Sequence, residues 1–520
     1  MKMPISNLII TFWISHPALL YGISLQLGFY AGFYDAFEWL IPCLGVWLPF
    51  FCHSYKERRI LPKFFLSLAL FLAAWAHAIV FYTWPALPEE GIPGTAHISI
   101  QSLSLQTSPF GSKWIYHCQL QRFFPTSAPK ESIADQIPCS LMLPNKMTIN
   151  RPLANQDYLV QGRLVEDEKG RYRLKINPYN AWSSLSNTWS YAEDRFQWKL
   201  SLSKWIRAQF KDSLNGLFLA GLATGDLDSS WIREEFARFG LQHILAISGF
   251  HFSIIASCLS FFLRLLVPRK AGATLLLIIL AAYTFFLGAG ASILRAWIMS
   301  SIVVIGFLCE RQAKALNTLG IALMGVLAID PLLSQTIGFQ FSFLVTAAIL
   351  LAYSPMNQLL SRILPKRSLS EVIEMNGWNQ HGYIILALFR DALALACAVN
   401  LAALPLTLYF FHQFPWMSLF YNLFFPFLVS GSLGLLLLGG LLSPIPYLST
   451  AIHSINNFYT SFVLQLTYRM PEHFDHYLKI ESFPDSLIVF YITILMLALI
   501  ALQSYLAEKD EAIGQSWSFI

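Results

Sequence analysis

Apolar runs separated by short polar or basic loops recur along most of the chain. Each run approaches the roughly 20 residues that a helix needs to cross a hydrocarbon core of about 30 Å. The runs predict three spans in the first 84 residues and nine after residue 240, near 16–33, 37–51, 62–82, 243–266, 271–288, 293–309, 315–329, 336–353, 384–411, 416–442, 452–468 and 487–506. The pattern therefore predicts a polytopic α-helical membrane protein.

One long polar segment, residues 85–190, interrupts these runs. Apolar and polar residues alternate at 114–120, 158–164 and 172–176, with Pro, Gly and Asn between the alternating stretches. Alternation with this punctuation is typical of short strands. The segment is predicted to be an inserted small β-barrel or sandwich of about 90 residues, and a barrel of this size is typical of OB-like domains.

Residues 191–240 are predicted to form amphipathic or interfacial helices. In 196–211, four apolar residues share one helical face, and Lys199, Lys204, Arg207 and Lys211 occupy the remainder. This arrangement favours a helix that lies in the membrane surface. An amphipathic helix packed on the β-domain is the open alternative.

Composition and charge agree with a bilayer as the solvent and indicate a topology. The 520 residues are 55% hydrophobic and 12% charged, with a net charge of +5. Basic clusters at 56–63, 264–270, 311–314 and 362–367 recur after alternate spans, so the positive-inside rule makes them cytoplasmic. The N-terminus is then cytoplasmic and the β-domain extracytoplasmic. The predicted organisation is 1–84 membrane helices, 85–190 β-domain, 191–240 amphipathic helices, 241–506 membrane domain and 507–520 cytoplasmic tail.

Polar groups at membrane depth are the candidate functional residues, because an ionisable side chain in hydrocarbon is costly. Arg295 follows the small-residue run GAGAS, which permits a helix break or close helix approach. Snorkelling to the interface is the alternative for Arg295, and ordinary hydrogen bonding between helices is the alternative for the others. The candidates for a polar path through the membrane are Arg295, His243, Ser248, Gly249, His251, Gln340 and Asn422.

The β-domain carries two further candidates. Arg171, Arg173 and Lys175 alternate along one strand beside Arg163, so their side chains form a basic face that could hold phosphates, or an ordinary solvated edge. The second candidate is a disulfide between Cys118 and Cys139, which would lie in an oxidising compartment. Such a bridge would stabilise the domain by roughly 3 kcal/mol in the chain-entropy model.

Four segments carry a family resemblance. Residues 221–255, GLATGDLDSSWIREEFARFGLQHILAISGFHFSII, resemble the competence domain of the ComEC family of DNA-internalisation channels, with Phe250 in place of the usual aliphatic residue. LGAGASILRAWIM at 287–299, IDPLLSQTIGFQFSF at 329–343 and LPLTLYFFHQFPWMSLFYNLFFPF at 404–427 continue the similarity in order. With the N-terminal spans and the β-domain in matching order, the resemblance covers essentially the whole chain.

The resemblance implies a channel in the bacterial cytoplasmic (inner) membrane for uptake of single-stranded transforming DNA, with an OB-like barrel outside. Many members of the family also carry a C-terminal metallo-β-lactamase-like domain, and this sequence is similar to a form without it. HFDH at 473–476 is only a fragment of a dizinc pattern, so a metal site is not expected there. We expect no other cofactor and no nuclease activity. A separate nuclease would then be a partner.

The chain has no Walker motif, so it is expected not to be an enzyme that hydrolyses ATP. The expected partners are single-stranded DNA, membrane lipids, an extracytoplasmic DNA receptor and cytoplasmic motor or strand-binding proteins. The alternative function is a secondary transporter or flippase for a small or lipid-linked substrate, which polytopic architecture also permits. An intramembrane hydrolase using Ser248 and His251 lacks a recognisable third partner.

Overall fold

The chain's computed structural model describes residues 5–34, 37–52, 60–82, 84, 87–108, 111–144, 151–166, 172–177, 182–186, 188–227, 229–245 and 249–517. Four helices precede the β-domain: α1 (Ile5–Ser15), α2 (Pro17–Phe33), α3 (Leu40–Cys52) and α4 (Ile60–Phe81). Pro17 begins α2, and α1 meets α2 at 102°. The sequence prediction therefore missed α1, because residues 5–15 continue the apolar run and only the chain direction separates them.

Helix α2 packs tightly on its neighbours through glycines. A methyl group added at Gly28 would lie 2.3 Å from the Phe71 carbonyl oxygen on α4. At Gly320, on the later helix α12 (Ala315–Ile329), it would lie 2.3 Å from the Leu19 backbone nitrogen. Small residues permit this close approach, which is the usual way that membrane helices associate. The N-terminal helices are therefore built into the later membrane domain.

The polar segment folds as one β-domain. Its strands are β1 (Ile92–Ser108), β2 (Gly111–Pro125), β3 (Ala134–Pro144), β4 (Tyr158–Glu166), β5 (Tyr172–Ile176) and β6 (Ser183–Ser184). They pair in the order β1-β2-β3-β5-β4-β6, and β1 also pairs with β4, so five strands form a ring of pairings. Only β3 and β5 run parallel among these pairs. The predicted β-segment is thus a β-sheet domain whose alternating apolar residues form its core.

The remaining chain is mostly helical. Four linking helices connect the β-domain to the membrane domain. They are α5 (Ala192–Gln209), α6 (Ser213–Thr224), α7 (Ser230–Arg238) and α8 (Gln242–Leu245). The membrane domain then comprises α9 (Gly249–Leu266), α10 (Arg269–Leu287), α11 (Ala291–Leu308), α12, α13 (Ile337–Leu360), α14 (Leu369–Glu374), α15 (Gly377–Phe411), β7 (Gln413–Pro415), α16 (Met417–Leu441), α17 (Pro446–Tyr468), β8 (Tyr477–Lys479) and α18 (Asp485–Trp517).

Eight helices within the described residues are long and apolar enough to cross a membrane, and the bent pair α1–α2 makes up to nine. The chain is a multi-pass membrane protein. Helices α3 and α12 are shorter apolar helices, and α17 lies outside this set although the sequence predicted a span at 452–468. Its buried face is polar, because Ser449, His453, Asn456 and Thr460 pack inward, and these residues lower the mean hydropathy of the helix.

The contacts place the helix ends on two opposite faces. At the face that we call the β-domain face, Arg195 of α5 lies 3.1 Å from a methyl group built at Gly288, the end of α10. At the opposite face, Lys270 binds Glu310 at 3.0 Å, and Lys63 donates to the Ile14 carbonyl oxygen at 2.7 Å. Since the spans alternate in direction, the basic loops at 264–270, 311–314 and 362–367 all lie on the face away from the β-domain.

Helix α5 connects the β-domain to the membrane domain. Arg151 binds Glu193 through two hydrogen bonds of 2.8 and 2.5 Å, and Glu193 also accepts from the Ala154 backbone N–H. Burial raises the pKa of Glu193, but these hydrogen bonds outweigh it and hold the pKa below its usual value. Further along α5, Lys199 pairs with Asp226 at 3.1 Å.

The path of α5 differs from the predicted helix in the membrane surface. Its first turn packs on the β-domain, as in the open alternative, but the rest forms an antiparallel hairpin with α6. At the far end of α5, the Trp205 ring lies 3.5 Å from a methyl group built at Gly440, one residue before α16 ends. The hairpin therefore runs along α16 and α17 instead of lying flat, because its apolar face packs on these helices.

Replacing Arg151 with methionine leaves the Glu193 carboxylate buried without its cation. Breaking a buried pair in this way costs about 3 kcal/mol, so we expect a lower thermal unfolding midpoint for Arg151→Met at pH 7, measured by circular dichroism in detergent. Lys130→Met, in an exposed loop, is the matched control and should leave the midpoint unchanged. Equal midpoints for the two variants would contradict the assignment.

The same pair has a defined pH dependence. The pKa of Glu193 in the folded protein is lowered from its ordinary value. Its contribution to the free energy of unfolding is therefore complete above the unfolded-state pKa of about 4.3, and it is lost as pH falls through the folded-state pKa. The difference in midpoint between wild type and Arg151→Met should therefore shrink below about pH 4.3.

Candidate functional site

Arg295 lies one turn into α11, between three membrane helices. Its guanidinium donates a hydrogen bond to the Thr346 hydroxyl on α13, and Thr346 in turn donates to the Ser342 carbonyl oxygen at 2.7 Å. The Arg295 Nε is buried without a hydrogen-bond partner among the described residues. Among these described residues, no carboxylate lies within 4.0 Å of the Arg295 guanidinium to neutralise it. The side chain is thus a partly buried cation in a membrane helix that is directed toward α9 and α13.

Gly249 makes room for this guanidinium. A methyl group built at Gly249 would lie 2.6 Å from Arg295 Nη2 and 3.8 Å from the Ala296 Cβ. Gly249 is also the first residue of α9, so the guanidinium lies beside the start of that helix. The structure therefore brings together Arg295 and Gly249, two of the candidate residues, and their role in a polar path stays a prediction. It adds Thr346, which sequence reasoning missed because threonine is common in apolar helices.

A second group of predicted residues surrounds Gly240, just before α8. The His243 ring nitrogen Nδ1 lies 3.1 Å from the Gly240 carbonyl oxygen, and a methyl group at Gly240 would lie 2.9 Å from the Ser418 hydroxyl. Asn422 donates to that hydroxyl at 3.0 Å, while its own Oδ1 is buried without a partner among the described residues. This group links α8 to α16 on the β-domain face.

His251 lies between the two groups in the sequence and is buried in α9, with 3% of its surface exposed. Ser248 falls outside the described residues, so the proposed pairing of Ser248 with His251 has no structural description.

Gln340 lies apart from these groups. It lies near Tyr30 of α2, whose hydroxyl donates to the Ser334 carbonyl oxygen at 2.8 Å. Gln340 and Thr346 are six positions apart on α13, and at about 100° per residue the two side chains point to different sides of the helix. The place of Gln340 in a polar path stays a prediction, as does the alternative that it joins helices by hydrogen bonding.

The basic face of the β-domain has the predicted geometry where it is described. Arg173 and Lys175 are exposed on β5, and Lys175 lies directly opposite Arg163 on β4. Arg163 also donates to the Glu90 carbonyl oxygen at 2.9 Å. Arg171 falls outside the described residues. Three cations of the predicted set therefore share one exposed surface.

Cys118 and Cys139 are direct partners across the antiparallel strands β2 and β3. Both side chains are buried, and the structure has no bond between their sulfur atoms. Opposed residues in antiparallel strands have Cα atoms about 4.5 or 5.5 Å apart, which a disulfide can bridge. The disulfide stays a prediction with suitable placement.

Mass spectrometry of the protein digested from native membranes without reduction tests this pairing. We expect one peptide pair joined through Cys118 and Cys139, because the two sulfurs face each other in a domain predicted to lie in an oxidising compartment. Cys43 is also buried but has no such partner strand, and its peptide should carry a free thiol. Recovery of Cys118 and Cys139 as alkylated thiols would contradict the prediction.

Two carboxylates in the linking region and the HFDH segment bind basic side chains. Asp226, in the GLATGD segment, pairs with Lys199, and the N-cap of α7 is Ser229. Asp475 of the HFDH segment binds the Arg238 guanidinium at 2.9 and 3.0 Å. Among the described residues no group of three His, Cys, Asp or Glu side chains is arranged to hold a metal ion. These carboxylates hold the linking helices in place.

Comparison with known proteins places these residues within a family. Residues 223–505 match the model of the family described as "Competence protein". The chain is 28% identical over 263 residues to "ComE operon protein 3" of Bacillus subtilis (strain 168), an alignment that covers 48% of this chain and 30% of that relative. No solved structure matches the chain. Because the family model spans more than half of the sequence and includes α9, α11 and α13, the chain belongs to the competence protein family.

Proposed function

We propose that this chain is the inner-membrane channel through which single-stranded DNA enters the cell during natural transformation. The observation that carries the proposal is Arg295, a cation enclosed by α9, α11 and α13 with no neutralising carboxylate among the described residues. A buried cation without a counter-ion is costly unless an anion or water reaches it. A phosphate that passes the site supplies that anion.

A single strand is the cargo that this arrangement favours. Each phosphate is charged and needs a hydrated or cationic route, and a single strand is narrow enough to thread between helices. The ring of strand pairings in the β-domain is the OB-like barrel of the proposal, and its basic face meets DNA before the membrane. The opposite face, with the basic loops, is then cytoplasmic, and so is the N-terminus.

The proposed activity is transport without catalysis by this chain. The driving force comes from partners, such as a cytoplasmic motor or strand-binding protein, and an extracytoplasmic receptor delivers DNA. A separate nuclease would degrade the strand that does not enter. Membership of the competence protein family and the similarity to "ComE operon protein 3" of Bacillus subtilis support a role in competence. The alignment with that relative covers less than a third of its length.

The proposal is tested by deleting the gene and following labelled DNA into a nuclease-protected compartment. We expect entry to stop and to be restored by the wild-type gene. Gly249→Ala should restore entry poorly, because its methyl group displaces the Arg295 guanidinium, and Arg295→Gln should fail because it removes the cation. Gly434→Ala on α16 is the matched control, since nothing lies within 4 Å of a methyl group there.

The outcomes separate the proposal from its alternative. Normal DNA entry in the deletion strain would end the channel proposal and leave the transporter or flippase. Full restoration by Arg295→Gln, with wild-type protein levels in the membrane, would remove Arg295 from the path. Protein levels are compared by immunoblot of membrane fractions for every variant.

The basic face of the β-domain predicts a second result. Neutralising Arg173 and Lys175 together, as Arg173→Gln with Lys175→Gln, should weaken binding of a single-stranded oligonucleotide and reduce its salt dependence by about 1.4 in the log–log slope, at about 0.7 per phosphate contact. The exposed Lys130→Gln is the charge control. The measurement is fluorescence anisotropy of the purified protein over a salt series, and an unchanged slope would make this face an ordinary solvated edge.

A further inference from the structure

A cavity of about 550 Å³ lies between α9, α10, α11 and α12. Its polar lining comes from hydroxyl groups on three helices and from one cation. On α9 these are Ser253, Ser257 and Ser260, with Arg264 beyond them, and the others are Ser300 on α11 and Thr318 on α12. Helices α9 and α11 are both apolar enough to cross a membrane, so these polar groups lie in an otherwise apolar setting.

The hydroxyls form one continuous line with the Arg295 site. Ser253 donates to the Gly249 carbonyl oxygen at 2.8 Å, and Gly249 contacts the Arg295 guanidinium. From Gly249 the polar residues follow at intervals of four, four, three and four residues, which keeps them on one face of α9. The rise of about 1.5 Å per residue makes this line about 22 Å long. It therefore begins at one arginine near the β-domain face and ends at another near the opposite face.

This face of α9 is not the face that packs. Ile255 is buried on the opposite side of the helix, whereas Phe252 and Leu263 are buried about a quarter turn away from the polar line. Ser253 and Ser257 are exposed, as is Arg264. A seam of small residues that served only helix packing would be closed by the facing helix, whereas here the facing residues of α11 and α12 leave a cavity.

We propose that this cavity binds the phosphodiester backbone of the single strand after it has passed Arg295. The proposal rests on the proposed function and deepens it, because it assigns the half of the passage that lies away from the β-domain. The serine hydroxyls donate hydrogen bonds to phosphate oxygens, which substitute for water without adding charge. Arg264 supplies the next cation on the route, so the strand moves between two arginines over a neutral polar surface.

Neutral hydroxyls between the arginines suit passage better than more cations would. A path has to bind its cargo well enough for entry and weakly enough for release. A continuous row of cations would hold the polyanion, whereas hydrogen bonds from serine exchange readily with water. The arrangement therefore guides the backbone without reading the bases.

Water access to the cavity is tested with single cysteines in protein reconstituted into lipid nanodiscs, which expose both faces. A charged, membrane-impermeant thiosulfonate reacts only with a thiolate in contact with water. We expect Ser253→Cys, Ser257→Cys and Ser260→Cys to react at least about tenfold faster than Leu265→Cys. Leu265 is the matched control because it lies on the same helix, is 68% exposed and is directed away from the cavity. The native Cys258 provides the background rate.

Occupancy by nucleic acid is tested in the same preparation by adding a single-stranded oligothymidylate. We expect it to slow modification of Ser257→Cys at least about threefold and to leave modification of the exposed Cys309 unchanged. Slow reaction at all three serine positions, equal to that at Leu265→Cys, would show a lipid-filled groove and overturn the proposal. Fast reaction that the oligonucleotide does not slow would overturn it as well.

DNA entry provides the third measurement. Ser257→Leu fills the cavity and should reduce entry at least about tenfold at equal protein levels, whereas Leu265→Ala, at a position outside the cavity lining, should retain entry. Equal entry with both variants would contradict the proposal. The labelling results can be distinguished from a failure of the channel proposal. Labelling reports water in the cavity even if deletion of the gene leaves DNA entry intact.

Discussion

The membrane domain has to hold a guanidinium between helices whose other surfaces face hydrocarbon. An uncompensated charge in such a place costs several kcal/mol, and among the described residues Arg295 has the Thr346 hydroxyl as its one side-chain hydrogen-bond partner. The surrounding structure is arranged to tolerate this cation: α9 begins at a glycine beside it, and α13 supplies the hydroxyl. The proposed transport of DNA follows from the need for an anion or water to compensate the positive charge of Arg295.

The β-domain is joined to that site by a series of ion pairs along one helix. Arg151 with Glu193 fixes the start of α5 to the strands, and Lys199 with Asp226 fixes its middle to the segment after α6. Arg195 packs against Phe285 and the end of α10, which leads directly to α11. The basic face of the β-domain is therefore held in a defined position relative to the helix that carries Arg295, and it does not depend on a flexible linker.

Polar residues in the membrane domain divide into two kinds. Polar side chains of the first kind are buried and form hydrogen bonds between helices. On α17, for example, Asn456 donates to the Ser432 carbonyl oxygen and Thr460 donates to the Ser432 hydroxyl. These bonds join helices and explain why α17 is less apolar than a lipid-facing span. In the other kind, on α9, hydroxyls line a cavity and face no packing partner. Spacing alone does not separate the two, since both follow a helical stripe.

The sequence by itself determined the membrane class, the inserted β-domain, the basic loops and the family, because these depend on composition, periodicity and local motifs that do not require the fold. It also identified Arg295, Gly249 and the histidines as residues of interest. Only the tertiary structure decided which of them meet. It brought Thr346 and Gly249 to the guanidinium, paired Asp226 with Lys199 and opened the cavity along α9. The physical reason is that contacts between helices depend on their rotation and depth, and neither quantity is encoded in the apolar pattern of any single helix.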